Sequence, residues 1–542
     1  MRTARVVLLA VGLLVSALAP EAAAAACPDG LPAKTACTTI RVPLDRSRAV
    51  PGEVPLFVAR VPATGRRRGT LALLAGGPGD GPSWYFTARR HLADFRAARR
   101  THDLLIVDGR GTGRSRPLDC PGAAACAAAL GPARGRYTSA DVAADLDVVR
   151  ARLGLRRLSL YGISYGTFEA QTYARAYPSR VARLVLDSTV DPLIDADPWR
   201  LAKTRAVPSA LRAVCRRRAC RAFTRDPWAD FVKLVDGLER RTLPGRRFDE
   251  RGRPQPLDLS AVDVALALSA ADINSDLRAE LPGAIDAALR GDAAPLARLA
   301  EVAAEPAPAS PGQHSDGRFV ATACQEQGVP WGRSTPPAER TEEAGRRLAL
   351  LPDDAFRPFS KEYGGLVYSS LFFECEAWPL TAGTAPARGP LPRVPALLLH
   401  GDTDVRTPLS GARRVARSVP GARLVVIRGA GHNVLREGGS RCPQRLVGDF
   451  LAGRRLPRCS RASSFRALPP PPLRAGPGAA RLTIADARRQ ALMRIDQVRG
   501  LVRRVRFGGL RGGWAEAGPR RIRLHAYEFV PGVPVTRTVA RR

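Results

Sequence analysis

Apolar and polar positions change their spacing several times along the chain, and each change marks an element. Residues 38–44 and 54–61 alternate apolar with polar, which predicts two strands forming an antiparallel lead-in to a sheet. Two short apolar runs follow, 70–74 and 104–107, and each exits into a glycine-rich stretch, 75–81 and 108–115. Residues 139–153 switch to helical spacing, with Ser139 as the expected N-cap and Gly154 as the stop. A further apolar run leads to Gly162-Ile163-Ser164-Tyr165-Gly166, then a helix to Tyr177 ended by Pro178, then a strand over 183–187. Strands alternating with helices predict an α/β fold with a mostly parallel sheet. From 192 to 390 the spacing is largely helical, broken by proline and glycine, and no strand is expected until 395–400. Strand, loop, helix (409–419), strand (424–427) and a helix over 444–451 then resume the sheet. The proline run 469–472 reads as a linker, ahead of a short helix (484–498) and alternating strands such as 521–527. The expected division is a signal at 1–26, a core at 27–191 and 391–460, an inserted helical cap at 192–390, and a linker with a C-terminal appendage at 461–542.

A length of 542 residues is more than one ordinary core, which fits a large domain with insertions or two to three domains. Arg2 and Arg5, the apolar stretch 6–18 and the small residues 22–26 form the pattern of a secretory signal, so the protein is expected to be exported with a mature start near Cys27. Ala24 stands where a lipoprotein signal usually has leucine, which argues against lipid anchoring at Cys27. The ten cysteines, Cys27, Cys37, Cys120, Cys126, Cys215, Cys220, Cys324, Cys375, Cys442 and Cys459, contain no C-x-x-C pair, and an even number in an exported chain points to disulfides rather than to a metal site. No metal or other cofactor is expected. The formal charge of +35 invites a nucleic-acid reading, but 81 arginines against four lysines, spread through every segment, describe a cationic surface rather than a phosphate-binding patch. Nucleic acid is therefore not an expected partner. Weak attachment to an anionic cell envelope is the secondary expectation.

An apolar strand ending in G-x-S-x-G and running into a helix is a nucleophile elbow, which makes Ser164 the candidate nucleophile. Serine needs a base, and the base needs an orienting carboxylate. Of six histidines only His432 lies in a glycine-rich loop after a late predicted strand, and Asp404 lies in the loop after the strand before it. Asp402 is the nearby rival for the acid, and His400 is expected to pack at its strand end. The order Ser164, Asp404, His432, each at a strand exit, is that of α/β-hydrolases. Acyl transfer also needs two donors for the oxyanion, and the backbone amides of Tyr165 and Gly77 are the candidates, since Pro78 has none. The stretch 108–115 lacks the G-K-[ST] ending of a phosphate loop and reads as support for the site.

The stretches 76–79 (GGPG), 108–115 (DGRGTGRS), 162–167 (GISYGT), 401–404 (GDTD) with Thr407-Pro408, and Gly431-His432 resemble the secreted tripeptidyl-aminopeptidase and proline-iminopeptidase-like α/β-hydrolases of actinobacteria. Residues 42–45 (VPLD), 375–379 (CEAWP) and the pair Cys442 and Cys459 add to the resemblance, which spans about 27–460. It implies a serine exopeptidase acting on free N-termini. Ala75 departs from the histidine that related enzymes often carry. Cysteines close in sequence are expected to pair as Cys27–Cys37, Cys120–Cys126, Cys215–Cys220 and Cys442–Cys459, and the resemblance implies Cys324–Cys375. That last bond would bring Glu326, Glu374 and Glu376 into one part of the cap, where carboxylates are expected to read the substrate ammonium. The alternatives are an esterase or other acyl hydrolase, and a non-catalytic cationic surface-binding protein.

Overall fold

The computed structural model describes residues 23–541 apart from 88, 217–218, 305–311, 369, 382, 388, 437–439, 460–465 and 498–503. Most of the expected export signal, residues 1–22, and the start of the expected linker therefore lie outside the described residues. Ala23–Ala24 form a two-residue strand, β1, against β2 (Ala36–Pro43). The sheet continues through β3 (Glu53–Val61), β4 (Gly69–Leu74), β5 (His102–Val107), β6 (Leu158–Ile163), β7 (Val181–Asp187), β10 (Ala396–Gly401) and β11 (Arg423–Ile427). Its order is β1-β2-β3-β5-β4-β6-β7-β10-β11, antiparallel as far as the β3–β5 pair and parallel from β5 to β11.

The central strands are apolar throughout because both their faces are covered, as parallel sheets require. Leu160, Leu186 and Leu398 join one core cluster with the helices Ser139–Arg152 and Tyr165–Ala176. Their neighbours Tyr161, Val185 and Leu399 join another, with the helix Cys442–Leu451. Period-two alternation thus divides each strand between two buried layers. The expected N-cap at 139 is corrected by one residue. Thr138 caps the helix, accepting the Asp141 amide in a reciprocal capping box, while Ser139 turns its amide and hydroxyl to another partner.

The segment between β7 and β10 is mainly helical. Five helices between Leu201 and Ala304 pack around Phe231, Val264, Leu277, Leu296 and Val302. The expectation that it holds no strand is overturned by a hairpin, β8 (Leu243–Phe248) with β9 (Pro254–Leu259). Its strands are half-exposed and rich in proline and arginine, so no apolar alternation announces them. A second group of helices, including Asp316–Glu326 and Arg340–Ala349, packs with Trp331 and Trp378 beside Tyr137. The structure contains the bonds Cys27–Cys37, Cys120–Cys126, Cys215–Cys220, Cys324–Cys375 and Cys442–Cys459.

The C-terminal part is a helix, Ala479–Gln497, laid over a four-stranded antiparallel sheet: β12 (Val505–Gly508), β13 (Gly512–Ala517), β14 (Arg521–Glu528) and β15 (Val535–Ala540). It has a core of its own around Phe507, Ile522, Leu524 and Tyr527. It docks on the helical layer through a buried pair, Arg298 to both oxygens of Asp486 at 2.9 Å, with the Tyr527 hydroxyl donating to the same carboxylate at 2.7 Å. Among the described residues no helix is long and apolar enough to cross a membrane.

Candidate active site

β4, β6, β7, β10 and β11 all present their carboxyl ends to one edge of the sheet, where α/β folds place ligands. β6 ends at Ile163, and Ser164 adopts φ 53° and ψ −126° before the helix Tyr165–Ala176 begins. That conformation costs a side-chain-bearing residue about 1–3 kcal/mol and persists only where the surroundings enforce it. The enforcement is local. The Ser164 amide donates to the Asp187 carbonyl at 3.0 Å, and its carbonyl accepts from the amide and hydroxyl of Thr167 at 2.8 and 2.6 Å. Gly162 and Gly166 are required by close approach, since a Cβ at 162 would strike the Gly166 carbonyl and one at 166 the carbonyls of Leu74 and Ala75. The loop after β4 closes on the serine, its Gly76 lying so near that a Cβ there would sit 3.1 Å from the Ser164 Cβ. Gly77 follows with φ 108°. Tyr165 is the first residue of its helix, and the first amides of a helix lack intrahelical acceptors.

The loop after β5 supports this edge from below. Buried Asp108 accepts the Ser83 and Arg114 amides at 2.6 Å, and Arg110, fully buried, binds both oxygens of Asp145 and the carbonyls of Pro43, Leu44 and Arg136.

Asp404 and His432 lie on the loops after β10 and β11, and His432 Nδ1 is 3.1 Å from Asp404 Oδ2. Thr407 donates its amide and hydroxyl to Asp404 at 2.8 Å each. Both members of the pair are buried. Burial opposes charge on both, but the mutual attraction and hydrogen bond hold Asp404 well below the usual carboxylate range and raise His432 above the ordinary histidine value, with Asp272 adding to the rise. Asp402 goes elsewhere, accepting the Gly429 amide at 2.7 Å and pairing with Arg216 at 2.6 Å. His400 is buried, with Nε2 3.7 Å from Asp404.

Two carboxylates that the sequence reading did not single out organise these loops. Asp187, at the end of β7, accepts the amides of Val434 and Leu435 at 2.9 Å each and the Tyr161 hydroxyl at 2.9 Å. Burial pushes it up to about 6. The other is Asp272, in the helical layer. Donor atoms of Asp272, Asp404 and His432 lie within 4.8 Å of one another, a spacing that could suit a metal ion. His432 Nδ1 is turned to Asp404, however, and both Asp272 oxygens accept backbone amides. These atoms are thus already engaged in hydrogen bonds within the protein. The only sequence signal for Asp187 was a carboxylate closing an apolar strand.

The three glutamates do not converge, although the Cys324–Cys375 bond is present. Glu326 accepts the Ser139 amide at 2.6 Å, the Ser139 hydroxyl at 2.7 Å and the Tyr165 hydroxyl at 2.6 Å. Glu374 is exposed, and Glu376 accepts from the Thr341 hydroxyl. The bond joins backbones, while side chains follow their nearest donors. Glu326 lines a cavity of about 550 Å³ with Tyr165, Asp191 and Asp195. Burial raises its pKa despite its three donors.

The chain has the α/β-hydrolase fold: residues 69–219 match the family described as alpha/beta hydrolase fold, and residues 361–463 match the one described as TAP-like protein. Its relatives include actinobacterial peptidases. A tripeptidyl aminopeptidase of Streptomyces lividans is 31% identical over 200 residues, a match covering 30% of this chain and only 37% of that protein. Serine protease Hip1 of Mycobacterium tuberculosis is 26% identical over 485 residues, covering 79% of this chain and 87% of that one. Among solved structures, a proline iminopeptidase of Mycobacterium smegmatis aligns over 77% of this chain and 98% of its own, at 14% identity and a TM-score of 0.35.

Proposed function

We propose that the protein is an exported serine exopeptidase that releases short peptides or single residues from free N-termini. Ser164 is the nucleophile, His432 its base and Asp404 the orienting acid. With Nδ1 turned to Asp404, His432 keeps Nε2 for the serine proton. As Ser164 Oγ bonds to the scissile carbonyl carbon, the proton passes to His432 and then to the leaving amine, and water hydrolyses the acyl-enzyme by the same route. The amides of Gly77 and Tyr165 stabilise the oxyanion. The observation that carries this reading is the 3.1 Å contact of His432 with Asp404 on loops that leave the same sheet edge as the strained Ser164. The peptidase names of its relatives support a peptide substrate. Glu326, on the wall of the large cavity and hydrogen-bonded to the residue after the nucleophile, is the carboxylate that reads the ammonium group.

The test compares a short peptide amide with its N-acetylated twin, in the wild type and in Glu326→Gln. The free peptide is expected to be cleaved faster, with the preference reduced in the variant. Equal rates on both peptides would reject the exopeptidase reading in favour of a more general acyl hydrolase.

A further inference from the structure

His432 and Asp404 sit on separate loops of the sheet edge, yet one residue of the helical layer binds both loops. Asp272 directly follows the helix Ala261–Ala271 and is 2% exposed. Its carbonyl accepts the His432 amide at 2.8 Å. Its carboxylate accepts the amides of the two residues that follow Asp404, Val405 to Oδ1 at 3.2 Å and Arg406 to Oδ2 at 3.1 Å. Arg278, in the next helix, reinforces the junction by donating to the carbonyls of Ala271 at 2.7 Å and Asp272 at 3.2 Å, and to Gly429 in the His432 loop at 3.2 Å. Gly431 leaves the space for this approach, since a Cβ there would collide with the Asp272 carbonyl and the Arg278 guanidinium.

We propose that Asp272 is a positioning residue for the acid–base pair, fixing the Asp404 loop against the His432 loop from the helical layer, so that the pair keeps its geometry only while that layer is seated. The proposal rests on the assignment of Ser164, His432 and Asp404 above. Its physical basis is that a carboxylate with two amide donors is a directional clamp, and that a 1 Å displacement of a catalytic group costs turnover rather than binding. Asp187 clamps the residues just after His432 from the core side, and Asp272 clamps His432 itself from the opposite layer. The charged and titratable groups that act on or lie beside His432 are Asp404, Asp272, Asp187, Arg406 and His400. Of these, Asp404 and, after it, Asp272 favour the charged imidazole, while Arg406 opposes it.

The test measures kcat, KM and the pH profile of kcat/KM for the wild type, Asp272→Asn and Asp272→Glu, per active site counted by exhaustive fluorophosphonate labelling, with Ser164→Ala as control. Asp272→Asn is expected to lower kcat by about 10- to 100-fold with KM largely unchanged. Its acid limb should move to lower pH, because only neutral imidazole accepts the serine proton and the lost carboxylate no longer holds the proton on. A purely structural role would lower the number of labelled sites and leave kcat per site and the limb where they were, and that result would overturn the proposal. Should Asp272→Asn not fold, Asp272→Glu keeps the charge while displacing it. It is then expected to lose kcat with the acid limb in place, and an unchanged kcat would overturn the proposal. Full activity in Ser164→Ala would remove the underlying assignment and the proposal with it, whereas an inactive Ser164→Ala beside an unaffected Asp272→Asn rejects the proposal alone.

Discussion

The two halves of the candidate site are built differently. The Ser164 elbow is held mainly by backbone packed close around it: Gly162, Gly166 and Thr167 surround the strained residue, the backbone of residues 74–76 closes on it, and one amide reaches across to Asp187. The Asp404–His432 half is held by carboxylates remote in sequence, Asp187 on β7 and Asp272 in the helical layer. Placing a nucleophile takes only a strained backbone and a clear approach, which five residues can encode. An acid–base pair needs two loops at a fixed separation, and that takes contacts from the rest of the fold.

Substitutions that break the second half without touching the first should show the difference. The largest effect on turnover is expected from Asp404→Asn, which can no longer stabilise the imidazolium and whose amide, donating to Nδ1, holds His432 in the wrong tautomer. A loss of about 10⁴-fold in kcat, with the fold retained, is the expected outcome in steady-state kinetics. A smaller loss should follow Asp187→Asn, which leaves one acceptor where the carboxylate supplies two to the Val434 and Leu435 amides. Stability is expected to fall by about 1–3 kcal/mol in urea titration, and kcat by about 10- to 100-fold through displacement of His432. Covalent labelling of Ser164 in that variant should still go to completion, because the elbow backbone bond uses the Asp187 carbonyl and not its side chain. Failure of labelling there would show that the two halves are not separable.

The same contrast explains what the sequence could disclose. Alternation located β2 and β3, and apolar runs located β4 to β7, β10 and β11, because burial on two faces leaves a continuous apolar run such as Leu160 and Tyr161 or Val185 and Leu186. The elbow was legible because Gly162 and Gly166 are sterically forced. The hairpin β8–β9 was not, because its exposed strands carry no apolar pattern, and the N-cap slipped from Thr138 to Ser139 because adjacent hydroxyls are equally good candidates until Glu326 claims one. Asp272 left no local signature, and Asp187 only that of a carboxylate closing an apolar strand. Each is an aspartate at the end of an element, and its meaning depends on amides 133 to 248 residues away. The glutamate cluster failed for a related reason: a disulfide fixes the backbones of Cys324 and Cys375 but leaves each nearby carboxylate to its nearest donor.

Whether Ser164 is the residue acylated in turnover is decided by reacting the protein with a fluorophosphonate and mapping the adduct by peptide mass spectrometry, alongside kinetics of Ser164→Ala. One adduct is expected, on Ser164, with activity lost in proportion to labelling and absent from the variant. An adduct on another residue, or a Ser164→Ala protein that still turns over substrate, would contradict the assignment of Ser164.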